Sequence, residues 1–203
     1  KSLGVGEFTD INLLVDWAEK VSLRMIQLLP VNDTTSTHTR ADSYPYAAIS
    51  AFALHPIYAS IETIAGKKHA KRIKSYLSRK DELNASTGVD YEAVMELKWD
   101  ALTTLYHSMK DEVFQELEYA NFFLENKSWL VPYAGYSFLR DKYGSPDAST
   151  WGKYASYSEL LINELCAPGT DDFDFIALHY FIQYQLHLQL KNAHDYANRK
   201  GII

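Results

Sequence analysis

One polar loop of this sequence carries the residue types best suited to chemistry. It follows the short apolar run Gln27–Leu29, which is stopped by Pro30. Amides, hydroxyls and carboxylates bind sugar hydroxyl groups, and tyrosine rings pack on the apolar face of a sugar ring. These residue types favour a ligand-binding loop, although proline and aspartate are equally typical of a structural turn. The residues concerned are Asn32, Asp33, Thr34, Thr35, Asp42, Ser43, Tyr44, Pro45 and Tyr46.

The two carboxylates of this loop, Asp33 and Asp42, raise a third interpretation. Glycosidases place a pair of Asp or Glu side chains at the bond that breaks, and the two residues share the nucleophile and acid/base roles. The residue types alone leave three interpretations open: a ligand-binding loop, a structural turn and a catalytic pair.

Two other groups of polar residues suggest a metal site, but their spacing argues against one. His179, His187 and His194 are separated by 8 and 7 residues. Neighbours in a helix would then lie roughly 11–12 Å apart, and a single metal ion needs ligands on adjacent turns. The acidic stretch 171–174 lacks the length and the spaced oxygen ligands of a calcium loop, and it favours helix capping instead. We therefore predict no metal site.

The elements around the polar loop read as one α/β repeat. A helix is predicted over 10–20, with Thr9 as its N-cap. The apolar run Arg24–Leu29 then has the length and composition of a buried parallel strand. The polar loop would start at the carboxyl end of this strand, where α/β barrels place their binding residues.

Beyond this repeat the pattern is helical rather than alternating. A last long helix is predicted from Asp171–Asp172 to Lys200, with Gly201 as its C-terminal stop. Ile202–Ile203 reads as the beginning of a further strand. The other segments with helical spacing are 68–86, 90–108, 111–125, 129–143 and 156–165.

Composition limits the partners and the compartment. The chain of 203 residues is 47% hydrophobic and 23% charged, as is typical of a globular domain. Its net charge of -6 argues against a nucleic-acid partner. No apolar run approaches the roughly 18 residues of a membrane span, so no membrane partner is expected. Cys166 is the single cysteine, which permits no internal disulfide and indicates a reducing compartment; we expect a cytoplasmic protein.

Several longer motifs resemble the 4-α-glucanotransferase family, also called amylomaltases or disproportionating enzymes. The resemblance covers essentially the whole chain, and the Ser-Tyr-Pro-Tyr form of one motif resembles the branch of the plant cytosolic disproportionating enzyme. The segments that carry it are Gly4–Asp10, Gln27–Thr34, Asp42–Tyr46, Ser50–Tyr58, Val89–Tyr91, Asn126–Ala134 and Phe181–Gly201.

This resemblance implies an α/β (TIM-type) barrel as the parent fold, enlarged by helical insertions. A barrel takes about 250 residues and eight strands. We therefore expect this chain to be the N-terminal part of a catalytic region, mostly α-helical with one clear barrel strand. The expected division is a barrel unit with the substrate loop (1–60), a helical insertion (61–170) and a long helix leading to the next strand (171–203). An exposed part-barrel surface would favour a homodimer.

The resemblance also implies an activity. Family enzymes transfer α-1,4-linked glucosyl units between glucans such as maltose, maltooligosaccharides, glycogen or starch, by a retaining double displacement. They use no metal or organic cofactor. Their catalytic carboxylates would follow Ile203, so no catalytic residue is expected in this chain, which would be inactive alone. The alternative is a non-catalytic helical module for carbohydrate binding or interaction.

What the resemblance carries over to this chain is substrate contact. Tyr46 matches the tyrosine that stacks on the glucose at the cleavage point. The chain departs from many members at Thr39–Ala41, where a tryptophan often precedes the motif, so a further stacking platform is not expected there. The substrate-binding residues that we predict are Asn32, Asp33, Asp42, Ser43, Pro45 and Tyr46.

Overall fold

The computed structural model describes residues 2–203, which fold into eight α-helices joined by turns and loops. The helices are α1 (Ile11–Lys20), α2 (Ile61–His69), α3 (Lys74–Leu77), α4 (Lys80–Ala85), α5 (Tyr91–Val113), α6 (Leu117–Tyr143), α7 (Glu159–Leu165) and α8 (Phe173–Arg199). Short 3₁₀ helices lie at Phe8–Asp10, Arg40–Ser43, Pro56–Tyr58, Ala70–Ile73, Ala148–Thr150 and Gly152–Tyr154.

The core forms around α8, which packs against both α5 and α6. The middle of α8 is buried, and its Phe181 meets Tyr106 of α5 edge to face, with ring centroids 5.7 Å apart. Burial of a large apolar side chain contributes about 1.5–3 kcal/mol to stability. The three long helices therefore form the scaffold on which the loops are held.

The prediction of a clear barrel strand at Arg24–Leu29 is wrong, because no β-strand is assigned within residues 2–203. The segment has one short pairing: Ile26 N–H donates to the Ile203 carbonyl (2.8 Å), and Ile203 N–H donates to the Arg24 carbonyl (2.9 Å). This is the hydrogen-bond pattern of a parallel pair. The apolar run is present in the sequence, but a strand also needs hydrogen bonds to a neighbouring strand along its whole length. Here the neighbour, Ile203, pairs at one point only.

Two glutamines of α8 hold the chain that follows the polar loop. The Gln183 amide accepts from Leu54 N–H and donates to the Leu54 carbonyl, both at 2.8 Å. Gln189 makes the same pair of bonds with Ser60, at 2.9 and 3.1 Å. Each buried side-chain amide thus satisfies a backbone donor and acceptor as a neighbouring strand does. Leu54 also forms an isolated antiparallel bridge with Asn32, at the start of the loop.

The predicted helices are confirmed where one long pattern covers the segment. Segment 90–108 lies in α5, whose N-cap Asp90 accepts from Ala93 N–H at 3.1 Å. The final helix is α8, and the chain beyond it turns at Gly201 with φ +68°, in the left-handed region that favours glycine. The predicted helix at 156–165 is the shorter α7.

The helix predictions are wrong at three places. Segments 111–125 and 129–143 do not form two helices, because α6 continues through Pro132. A proline removes one helical hydrogen bond. Burial of helix residues on both sides of Pro132, such as Leu130 and Tyr133, offsets that loss. Segment 68–86 is divided between the end of α2, a 3₁₀ turn, α3 and α4. Thr9 is not the N-cap of α1; Asp10 is, after a 3₁₀ turn.

Candidate functional site

The polar loop borders a cleft of about 310 Å³. Four of the six predicted substrate-binding residues line this cleft: Asn32, Asp42, Ser43 and Pro45. Asp33 does not line it, because its side chain is buried behind the loop. Tyr46 is exposed and lies outside the cleft lining, one residue beyond Pro45. The structure therefore brings four of the six predicted residues together at the cleft and leaves Asp33 and Tyr46 outside its lining.

Asp42 organises the loop from within. Its carboxylate accepts hydrogen bonds from three consecutive backbone N–H groups, those of Ser36 (3.1 Å), Thr37 (2.9 Å) and His38 (2.7 Å). Successive amides that converge in this way form a nest, a concavity that binds anions. His38 has φ +58°, a left-handed conformation that costs energy in a non-glycine residue. The Asp42 carboxylate offsets this cost, because it accepts charge-assisted hydrogen bonds from all three amides.

Asp33 also accepts hydrogen bonds at both of its carboxylate oxygens. Its Oδ1 accepts from the backbone N–H (2.9 Å) and the hydroxyl (2.6 Å) of Thr35. Its Oδ2 accepts from the Tyr133 hydroxyl of α6 at 2.6 Å. Burial, together with the nearby charge of Asp33, raises the pKa of Tyr133, so this phenol stays protonated as the donor.

These bonds argue against the catalytic-pair interpretation. A nucleophile or an acid/base group needs an oxygen that can reach the substrate. Asp33 is 2% exposed and Asp42 is 4% exposed, and both oxygens of each carboxylate accept bonds from the protein. The two carboxylates hold the loop in shape, and the groups that remain free to bind a ligand belong to its other residues.

Helix α6 fixes the loop through a second set of contacts that the sequence patterns did not reveal. Arg140 donates from Nη1 to the Thr35 carbonyl (2.6 Å) and binds the Asp141 carboxylate (2.7 and 3.0 Å). His38 Nε2 lies 2.7 Å from Asp141 Oδ1. Burial acts to raise the pKa of Asp141, but the hydrogen bonds from His38 and Arg140 outweigh it and lower the pKa to about 2.

A signal for these residues does exist in the sequence. Arg140 and Asp141 follow Tyr133 by 7 and 8 residues, which places both about two helical turns further along the same side of a helix. Ser137 lies on the same side, so the sequence shows a row of polar residues along α6, and the structure shows that Tyr133, Ser137 and Arg140 of this row are buried. The partners themselves, Thr35 and His38, cannot be identified from spacing.

The mouth of the site carries exposed aromatic rings. Tyr44 and Tyr46 are each 61% exposed, and their ring centroids lie 5.5 Å apart at an interplanar angle of 54°. Phe52, beyond the loop in the chain, stacks on Trp129 of α6, with ring centroids 5.9 Å apart at 21°. Asn32 is held beside the cleft by a bond from its Nδ2 to the Ala51 carbonyl at 2.9 Å. Flat rings next to hydrogen-bonding groups suit a sugar.

His55 and Tyr91 also line the cleft and were not among the predicted site residues. His55 Nδ1 accepts from Ile57 N–H at 3.1 Å, which assigns the proton of the neutral ring to Nε2. Nε2 then donates to the Tyr91 hydroxyl at 3.1 Å. Burial lowers the pKa of His55, so the ring is neutral near pH 7. This wall of the cleft is polar but uncharged.

A family model described as 4-alpha-glucanotransferase matches residues 1–203, the full length of the chain. The chain belongs to the 4-alpha-glucanotransferase family. This match confirms the resemblance on which the predicted fold and activity were based.

Two relatives in the family are matched over only part of their own length. The rice (Oryza sativa subsp. japonica) 4-alpha-glucanotransferase DPE2 is 39% identical over 209 residues, covering 100% of this chain and 21% of the rice protein. A 4-alpha-glucanotransferase of Chlamydia pneumoniae is 28% identical over 203 residues, covering 100% of this chain and 37% of the relative. The chain thus spans between about a fifth and two fifths of these relatives. The rice protein agrees with the predicted resemblance to a plant branch.

The fold has a counterpart among solved structures. An amylomaltase from Streptococcus agalactiae, solved in complex with acarbose, matches 100% of this chain and 39% of its own length, with a TM-score of 0.75 and 22% identity. At this identity the match establishes the fold alone. It confirms that the helical arrangement of this chain occurs within the amylomaltase fold.

The residues weighed as metal ligands lie apart. His179 is buried, whereas His187 and His194 are exposed on α8. Within residues 2–203, no group of three or more His, Cys, Asp or Glu side chains is placed to hold a metal ion. The same residues contain no helix long and apolar enough to span a membrane.

Proposed function

We propose that this chain acts as part of a 4-α-glucanotransferase, in which the loop from Asn32 to Tyr46 is a binding wall for α-1,4-glucans. The observation that carries the proposal is the geometry of this loop in a chain whose whole length matches the family. Asn32, Ser43 and Pro45 line a polar cleft, and the exposed ring of Tyr46 lies next to them. The cleft offers hydrogen-bonding groups and the ring offers an apolar face.

Each loop residue has its own role in this proposal. Tyr46 packs on a sugar ring, and Asn32 and Ser43 bind its hydroxyl groups. Pro45 keeps the turn rigid. Asp42 lines the cleft and holds the loop through its three amide contacts. Asp33 supports the substrate site from behind, through Tyr133 and Thr35.

The proposed reaction is the retaining transfer of glucosyl or maltooligosaccharide units between α-1,4-glucans, as the family resemblance implies. Because the two carboxylates of the loop are occupied by the protein, the nucleophile and the acid/base are proposed to lie outside this chain. We expect the isolated chain to release no glucose from maltose. The alternative is a non-catalytic carbohydrate-binding module. It predicts that the full-length protein, too, does not convert maltotriose into longer glucans.

Tyr46→Ala in the full-length enzyme tests the role of the loop. Loss of the stacking ring is expected to lower kcat as well as kcat/KM, by about 10- to 100-fold, because the ring orients the sugar for attack. Tyr46→Phe keeps the ring and should retain most of the activity. Tyr157→Ala, at an exposed tyrosine outside the cleft lining, is the matched control. Unchanged kinetics of Tyr46→Ala would remove this residue from the site.

We also propose a division of the chain into units, a compartment and a class of partner. The division into a barrel unit (1–60), a helical insertion (61–170) and a final long helix (171–203) follows the change from loop-rich to helical chain. A cytoplasmic location rests on the single cysteine, Cys166, which is free and buried. The net charge of -6 supports glucans rather than nucleic acid as partners.

A further inference from the structure

A second pocket, of about 410 Å³, opens between the end of α6 and the start of α8. It shares no lining residue with the cleft beside the polar loop. Three aromatic side chains form much of its wall: Trp99 of α5, Phe138 of α6 and Phe175 of α8. Phe138 and Phe175 lie nearly parallel, with ring centroids 6.4 Å apart at 29°. Phe175 is 65% exposed, although the residues that follow it on α8, from Ile176 to Leu186, are buried.

The floor of this pocket is a buried histidine that lacks a hydrogen-bonding partner. His179 is 5% exposed and lines the pocket. Its ring packs near Trp99 (centroids 5.4 Å apart) and Tyr133 (6.2 Å), but within residues 2–203 neither ring nitrogen makes a hydrogen bond. Its ring nitrogens are not among the fully enclosed polar atoms that lack a partner, so the ring is open to the pocket, where a ligand can hydrogen-bond to it.

The pocket presents this histidine in its neutral form. Burial lowers the pKa of His179 to about 4, so near pH 7 the ring offers one N–H donor and one nitrogen acceptor. A hydroxyl group can both accept from such a ring and donate to it. The unpaired histidine therefore suits a hydroxylated ligand.

The charged groups around the pocket are already paired with one another. Lys142 Nζ binds Asp172 at 2.7 Å and lies over the Phe138 ring, 5.1 Å from its centroid. Asp141 is bound by Arg140 and His38. Because the carboxylates and the ammonium compensate each other, the pocket gains little from a charged ligand. The combination favours a neutral, hydroxylated ring with an apolar face.

We propose that this pocket is a second carbohydrate site, which binds one or two glucose units of a glucan outside the loop cleft. His179 hydrogen-bonds a sugar hydroxyl, and Trp99 and Phe175 pack on the ring. The volume falls in the range of about 300–1,000 Å³ typical of small-ligand pockets. The choice of glucose as the sugar rests on the proposed function, whereas the existence of the site rests on the pocket itself.

The test is a maltotriose titration of the 203-residue chain, followed by the NMR signal of the Trp99 indole N–H. We expect this signal to shift saturably. Phe175→Ala is expected to raise the Kd for this shift at least fivefold, and exposed Phe175 can be removed without opening the core. Tyr157→Ala and Tyr46→Ala, at exposed tyrosines outside the pocket, are expected to leave the Kd unchanged.

Three outcomes would overturn the second site. The first is a Trp99 signal that does not respond to maltotriose, and the second is a response that Phe175→Ala leaves unchanged. The third is a response that tetramethylammonium produces at a lower concentration than maltotriose does, which would make the aromatic walls a cation site. None of these results bears on the loop, because the proposed function is decided separately by the kinetics of Tyr46→Ala in the full-length enzyme.

Discussion

Most charged residues near the cleft bind other groups of the protein and are not free to bind a ligand. Asp33 and Asp42 bind backbone and hydroxyl donors of the loop. Lys98 of α5 is 0% exposed and donates to Glu7 Oε1 (2.9 Å) and to the carbonyls of Ile57 (2.6 Å) and Ala59 (2.8 Å). All three N–H groups of the ammonium are thus used. Lys98 fixes the segment that follows the cleft residue His55.

Lys98→Met should show how strongly this buried cation stabilises the fold. The substitution leaves the Glu7 carboxylate buried and unpaired, so we expect a loss of about 3–5 kcal/mol in the free energy of unfolding. Urea denaturation measures it, with Lys67→Met at an exposed position as the control. Combining Lys98→Met with Glu7→Gln should restore part of the loss. A loss below about 1 kcal/mol would contradict the buried pairing.

His179 predicts how stability depends on pH. Its pKa is about 4 in the folded chain and about 6.5 when unfolded, so the unfolded state binds the proton more readily. The stabilisation is complete above about pH 6.5 and is lost as the pH falls toward 4. We expect the loss due to His179 to be about 2–3 kcal/mol between pH 7.5 and 4.5.

The measurement is urea unfolding at both pH values for the wild type and for His179→Asn. The variant should lose less stability on acidification than the wild type does. His194→Asn, at an exposed histidine of the same helix, is the control and should follow the wild type. Equal pH dependence in wild type and His179→Asn would show that His179 is not buried in neutral form.

At the scale of elements, α6 and α8 position the loop segments from a distance along the chain. Tyr133 and Arg140 of α6 reach Asp33 and Thr35, and Gln183 of α8 binds the backbone of Leu54. The helices that make the core therefore also set the geometry of the cleft. In the loop itself, the nest of three amides around Asp42 is the element that keeps its shape.

Asp42→Asn tests this element directly. All three N–H groups converge on Oδ2, and an amide oxygen in that place carries no charge, so the three bonds weaken. The amide NH2 in place of Oδ1 also cannot accept from the Thr37 hydroxyl. Loss of charge-assisted bonds worth about 1.5–3 kcal/mol should speed amide hydrogen exchange at 36–38 by about 10- to 100-fold. Asp147→Asn, which affects a separate 3₁₀ turn, should leave the exchange at 36–38 unchanged. Equal protection in Asp42→Asn and wild type would count against the nest.

At the scale of the whole molecule, one face remains apolar and uncovered. The accessible surface is 11425 Å² for 23.2 kDa, whereas a compact monomer of this mass has about 9,700 Å². Much of the exposed apolar surface lies on α1 and on the extended segment after it. In a full-length family enzyme we propose that this face packs against the rest of the protein. Its exposed side chains include Leu13, Leu14, Trp17, Val21, Leu23, Met25, Leu28 and Leu29.

The isolated chain is therefore expected to form a homodimer through this face. Light scattering at increasing concentration should give a mass that rises toward twice 23.2 kDa. Leu13→Lys combined with Trp17→Glu places two charges on the face and should restore the monomer. Leu117→Lys, at an exposed leucine of α6, is the control and should still dimerise. A monomeric wild-type chain at all concentrations would contradict the proposal.

The sequence predicted the features that depend on local pattern. The bounds of α8 and most of α5 followed from helical spacing and capping residues, because these act within a few turns of the chain. The motifs from Asn32 to Tyr46 identified the family and the loop that lines the cleft, since both depend on residue type and order.

Only the tertiary structure decided which groups of that loop are free. The Asp33 carboxylate is occupied by the hydroxyl of Tyr133, 100 residues away. The Asp42 carboxylate is occupied by backbone amides that converge only in the folded loop. The extended segment at Arg24 pairs only with Ile203, so it is not a strand within residues 2–203. Residue type shows what a side chain can bind, but partners from distant parts of the chain determine what it binds in the fold.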